Sequence, residues 1–140
     1  MEPGNHSYRI EFAYPHAFAA GLKKLPNHVS DAVQLAIREI LTIKGLELAE
    51  TEWLKKVSGS VWELRVGKTT TAVYSKAGIE KPMGINHTKI LVRVFCSFQG
   101  GKLIVLLSAY DKKSDDSPSR QREEIAKANR ILSKWIENRR

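Results

Sequence analysis

Apolar and polar residues alternate over 7–13, with Tyr8, Ile10 and Phe12 on one side and Ser7, Arg9 and Glu11 on the other. A period of two predicts a half-buried strand. The period then changes. Pro15 suits a helix N1 position, and Phe18, Leu22 and Leu25 recur at spacings of four and three, which predicts a short helix despite Gly21. Pro26 breaks the chain. Val29, Val33, Ala36, Ile37, Ile40 and Leu41 next draw one apolar stripe at helical period, and Gly45 is the natural residue to end it. Two helices across one short break predict an αα-hairpin.

Residues 46–59 read as a connecting segment pinned by Trp53, Leu54 and Val57. Alternation returns over 61–66, where Trp62, Leu64 and Val66 share one face and Val61, Glu63 and Arg65 the other. Two long apolar strands are predicted at 89–98 and 102–110, joined by the hairpin signal Gln99-Gly100-Gly101. From Ser117 the period is helical again. Ser117 is the candidate N-cap and Pro118 the N1 residue, and Ile125, Ala128, Ile131, Leu132, Trp135 and Ile136 form the stripe. Between the strands, "TTTAVYS" has strand composition and "KAGIEKPMGINHT" the Gly, Pro and Asn of a loop. An extra strand or arm followed by a long excursion is therefore expected over 67–88. Helices and hairpin-linked strands are segregated along the chain, which predicts an α+β fold. Its expected form is an N-terminal strand and αα-hairpin packed on a mainly antiparallel sheet of about four strands, with a C-terminal helix.

The chain has 140 residues, the size of one domain with a single adequate core. Its one cysteine, Cys96, lies in the apolar run "VRVFCSF" and reads as a buried free thiol, in keeping with a reducing cytoplasm. No apolar run approaches a membrane span, and no apolar segment follows a basic N-terminus, so neither a membrane anchor nor a signal peptide is expected. Charge is unevenly placed. Residues 1–52 carry five Lys/Arg against seven Asp/Glu, and residues 53–140 carry eighteen against eight, so the second half is +10 of a net +8. Such asymmetry suits an anionic partner, or a basic surface kept for solubility.

Few motifs carry chemistry on their own. "VGKTT" lacks the upstream glycine of a phosphate-binding loop, whose place is taken by Trp62. His6, His16, His28 and His87 have no second ligand at metal spacing and read as surface histidines; no metal or other cofactor is expected. Trp62 and Trp135 lie on apolar stripes and read as core. Glu63 reads as facing outward beside Arg65, as a general base or as half of a surface ion pair. The basic set says more. Arg65 lies on the polar face of its strand, and Arg93 interrupts the apolar run "ILVRVF", where it must reach solvent, a carboxylate or a ligand. Tyr110, Asp111, Lys112 and Lys113 follow at the lip of the last strand. If these strands are neighbours, Arg65, Arg93, Lys112 and Lys113 gather on one surface.

"VWELRV", then "LVRVFCSFQGGKLIVLLSAYDKKSDDSP", then "EIAKANRIL" together resemble the RelE/ParE toxin superfamily, in its phage-derived, HigB-like branch. The resemblance spans roughly residues 7–137 and implies one toxin domain over 1–140, with an atypical insert at about 67–88. It implies a metal-independent endoribonuclease, an mRNA interferase of a type II toxin–antitoxin system. Such a toxin cleaves mRNA on the ribosome in the cytoplasm and is neutralised by an antitoxin bearing a helix-turn-helix domain. It further implies a catalytic set of Arg65, Arg93, Lys112, Lys113, Tyr110 and Asp111, with Lys68, Lys89, Arg120 and Arg122 as RNA contacts. Where RelE-type members carry a lysine, this chain has Glu63. Where they carry a tyrosine before the last helix, it has "SDDSPS", and no histidine stands beside Tyr110 and Asp111. Two other readings use the same fold: a ParE-like inhibitor of DNA gyrase, and a noncatalytic nucleic-acid-binding module of phage origin.

Overall fold

The computed structural model describes residues 8–85 and 87–139. His6 and Ser7, with the rest of the N-terminal stretch, lie outside the described residues. Along the chain run β1 (Arg9–Phe12), α1 (Pro15–Lys23), α2 (Asn27–Ala36), a π-helical turn (Ile37–Leu41), α3 (Thr42–Lys44) and a 3-10 helix (Gly45–Glu50). Then come β2 (Leu54–Ser58), β3 (Val61–Val66), α4 (Thr70–Ala77), β4 (Val92–Gln99), β5 (Leu103–Asp111) and α5 (Pro118–Asn138). The sheet has the order β1-β5-β4-β3-β2. Three pairings are antiparallel, and β1 lies parallel to β5. The α+β class stands as expected. The sheet itself is mixed and five-stranded, because residues expected to connect form β2.

Helices cover both faces of the sheet. On one, Phe18, Val29, Val33, Ala36, Ile40 and Leu41 pack on Leu64, Val66, Val94, Cys96, Ile104 and Leu106. On the other, Ala128 and Leu132 of α5 pack on Val61, Phe95, Leu103, Val105 and Leu107. This double covering explains why β4 and β5 read as near-continuous apolar runs and not as alternating ones. Burial also fixes the state of Cys96, whose thiol is pushed up to about 12 by loss of solvent. The helical hairpin ends at Gly45, where φ is +52° and any Cβ would overlap the Tyr8 ring. Only glycine fits there without moving the Tyr8 ring.

The segment 67–88 corrects the expected strand. It contains α4. The Thr69 hydroxyl accepts the Ala72 N–H at 3.1 Å as an N-cap, and Gly78 closes the helix with φ +73°. Val73 and Tyr74 are buried, and α4 packs against α2. The loop that follows is tied back by Lys81 Nζ and His87 Nδ1, each 2.9 Å from the Thr71 hydroxyl. Ile90 N–H then donates to Lys68 O at 3.0 Å, returning the chain to the sheet.

Candidate functional site

Three strands supply one row of polar side chains. Arg65 of β3 stands opposite Arg93 of β4, and Arg93 stands opposite Tyr110 of β5. Alternation puts this row on the face covered by α5, with Phe95 stacked on Tyr110 at 5.9 Å between ring centres. Tyr110 reaches that face through a β-bulge. Phe95 pairs with Ser108 and Cys96 with Leu106, so Leu107 is the extra residue. Without it, Tyr110 would share the phase of Ile104 and Leu106 and face the helical hairpin. Bulges commonly re-aim side chains in this way.

Glu63 lies behind the row and is fully buried. Its carboxylate accepts Arg65 Nε at 3.1 Å and Gln121 Nε2 at 3.2 Å, and stands 3.9 Å from Arg93 Nε. The outward-facing surface pair expected for Glu63 is therefore corrected: α5 lays Gln121 over it. A buried carboxylate survives only when paired and hydrogen-bonded, and the two arginines and the amide do this. Burial lowers the Arg93 pKa, opposed by Glu63 and assisted by the like charge of Arg65. Burial and the Glu63 charge raise that of Tyr110, so its phenol stays protonated. The terminal nitrogens of Arg65 have no side-chain partner among the described residues.

Arg65 and Arg93 open onto a pocket of about 440 Å³. Lys68 and Lys76 also line it, together with Trp53, Ser75 and one carboxylate, Glu52, which pairs with Lys68 at 3.3 Å. Four cations against one exposed carboxylate give this pocket a basic lining, with Glu63 behind two of them. The loop after β5 is built from local turns. Lys112 N–H donates to Leu91 O at 2.8 Å, and Lys113 N–H to Asp111 Oδ1 at 3.0 Å. Ser117 N–H donates to Asp115 Oδ1 at 3.0 Å, which holds the Asp115 carboxyl below its ordinary range. Arg120 donates Nε to Glu124 at 2.9 Å and lies 5.1 Å from the centre of the Tyr110 ring.

No family model matches the chain, and no curated protein matches it. The site therefore rests on its own geometry. Of the expected residues, Arg65, Arg93 and Lys68 share the pocket, and Tyr110 adjoins it through its pairing with Arg93. Lys112 follows β5 opposite Leu91, another pocket residue. Asp111 and Lys113 line a separate small cleft with His28 and Lys89 against α2. Leu91 lines both places, so Lys113 and Lys89 stand beside the arginine pocket and not in its lining. Arg120 lies over Tyr110, and Arg122 is exposed on α5. Glu63 as the hub, Gln121, Lys76 and Trp53 had no assigned part. The two-residue spacing of Glu63 and Arg65 on one strand face was the available signal for the first. Lys76 joins the pocket only because "TTTAVYS" is helical.

Proposed function

We propose that this chain is a metal-independent endoribonuclease of the RelE/ParE toxin type, acting on mRNA at the ribosome in the cytoplasm and held inactive by a cognate antitoxin. The observation that carries the reading is the facing pair Arg65 and Arg93, opening onto a cationic pocket next to a protonated tyrosine. In the reaction a ribose 2′-OH loses its proton and its oxygen attacks the adjacent phosphorus. The P–O5′ bond breaks, and the 5′-oxygen takes a proton. The products are a 2′,3′-cyclic phosphate and a 5′-hydroxyl. Arg65 and Arg93 stabilise the phosphorane charge, the role for which preorganised cations have most effect. We assign proton transfer to Lys112, whose backbone is bonded to Leu91 of the pocket, and flanking phosphate to Lys68 and Lys76.

A second reading is favoured by Glu63. A carboxylate between the arginines takes up part of their charge, which suits a module that holds phosphate without cleaving it. Expression in a bacterial host, with and without the neighbouring open reading frame, separates the readings. Growth arrest with transcript cleavage, relieved by the neighbour, supports the toxin. Arrest with a DNA-damage response and intact transcripts indicates a gyrase inhibitor, and no arrest indicates the noncatalytic module.

A further inference from the structure

The three tryptophans of the chain are used differently. Trp62 meets Phe98 edge to face at 6.0 Å between ring centres. Trp135 donates Nε1 to Glu11 at 2.7 Å and carries the Arg139 guanidinium 4.5 Å from its ring centre. Trp53 has no such ring or cation partner among the described residues. It is half-buried: part of it packs against the core under the helical hairpin, and part lines the arginine pocket. Its backbone is engaged on both sides, because its N–H donates to the Thr51 hydroxyl at 3.0 Å and its C=O accepts the Arg65 N–H at 2.8 Å. The surface that it offers the pocket is therefore the indole. The second of these bonds also sets its place. Trp53 stands opposite Arg65, one residue before β2, and extends the row of Arg65, Arg93 and Tyr110 by one more strand position. Opposed residues of an antiparallel pair hold their Cβ atoms about 5 Å apart, the scale of the ribose between a base and its phosphate. The cations beside the indole are open to solvent: the Arg65 side chain is 32% exposed and that of Lys68 78%.

We propose that Trp53 is a stacking platform for the nucleobase next to the phosphate held by Arg65 and Arg93. An aromatic ring packed on one part and open on another suits the flat face of any base, and cations beside it suit the sugar–phosphate chain. A free phosphate would use the cations and leave the indole idle, and an apolar ligand would do the reverse. A nucleotide uses both, and a pocket of about 440 Å³ is within the range that takes one. The inference rests on the RNA reading and adds to it the residue that holds the base.

Fluorescence anisotropy with the purified full chain and a short labelled 2′-O-methyl oligoadenylate tests it, since the blocked hydroxyl prevents cleavage. Trp53→Leu should weaken binding about tenfold, within the range for one stacked base. It should leave the log–log slope against salt unchanged, because no phosphate contact is lost. Trp53→Phe should recover most of the loss. The unlabelled oligonucleotide should also quench the tryptophan emission of wild type and leave that of Trp53→Phe unchanged, whose remaining indoles are Trp62 and Trp135. This second measurement decides the matter if Trp53→Leu does not fold. If wild type does not bind the oligonucleotide, the RNA reading fails and the base site with it. If wild type binds and Trp53→Leu binds as tightly, or if wild type and Trp53→Phe are quenched alike, the RNA reading stands and Trp53 holds no base. A salt slope that flattens in Trp53→Leu also overturns the proposal, since the indole then only props the cations beside it.

Discussion

Glu63 sets the state of the arginines around it. Its removal in Glu63→Gln leaves Arg93 buried beside Arg65 without a counter-charge, a loss of about 3 kcal/mol. Urea denaturation should show it, and inorganic phosphate should restore more stability to the variant than to wild type, because it fills the vacated role. Equal phosphate effects on both proteins contradict an anion site at these arginines. Cys96 gives a second test. With its thiol at about 12 instead of 9.0, it holds about a thousandfold less thiolate than an exposed cysteine at pH 8. A thiol reagent should modify it only as fast as the fold opens. Raised folded-state pKa values at Cys96 and Tyr110 mean stability that is complete below the unfolded values and lost as pH rises through the folded ones. The melting temperature should therefore begin to fall above about pH 9. Arg65 and Arg93 were legible because a charge inside an apolar strand must have a partner. The burial of Glu63 was not, since alternation says which face a residue takes and not what covers that face.

Among the elements, those with an undisturbed pattern were read correctly. β1 and β3 keep period two, the helical hairpin and α5 keep a helical stripe, and β4 and β5 are long apolar runs joined by a hairpin signal. β2 has none of these. Two exposed lysines, Lys55 and Lys56, stand side by side and a bulge between Lys56 and Ser58 follows them, so the alternation by which a strand is recognised is missing. α4 misled for another reason. Four threonine and valine residues gave "TTTAVYS" the composition of a strand, but the Thr69 cap, the Gly78 terminus and packing on α2 outweigh that preference. The parallel placement of β1 beside β5 depends on where the hairpin returns the chain, which no local pattern records. Thr69→Ala removes the cap and should cost about 1 kcal/mol. Because α4 carries Lys76 on the pocket wall, the same change should weaken RNA binding measurably. A lower melting temperature with RNA affinity unchanged means that α4 takes no part in RNA binding.

For the whole molecule, the question is whether the basic half meets RNA. The second half carries +10, and no helix among the described residues is long and apolar enough to cross a membrane. If about four phosphates are neutralised, the log–log slope of affinity against salt should be near −3, at about −0.7 for each phosphate of a single strand. Lys113→Ala should flatten it by about one contact, and Lys23→Ala, in the acidic half, by none. Identical behaviour of the two variants removes Lys113 from the interface. The claim that the Arg65 and Arg93 pocket cleaves RNA is tested most directly by its products. Purified protein incubated with translating ribosomes in the presence of a chelator should yield fragments ending in 2′,3′-cyclic phosphate and beginning with 5′-hydroxyl. Arg65→Ala should reduce their rate of formation at least a hundredfold, the scale of losing one preorganised charge from the transition state. Fragments that form equally fast with wild type and Arg65→Ala, or transcripts that stay intact with wild type, contradict the account.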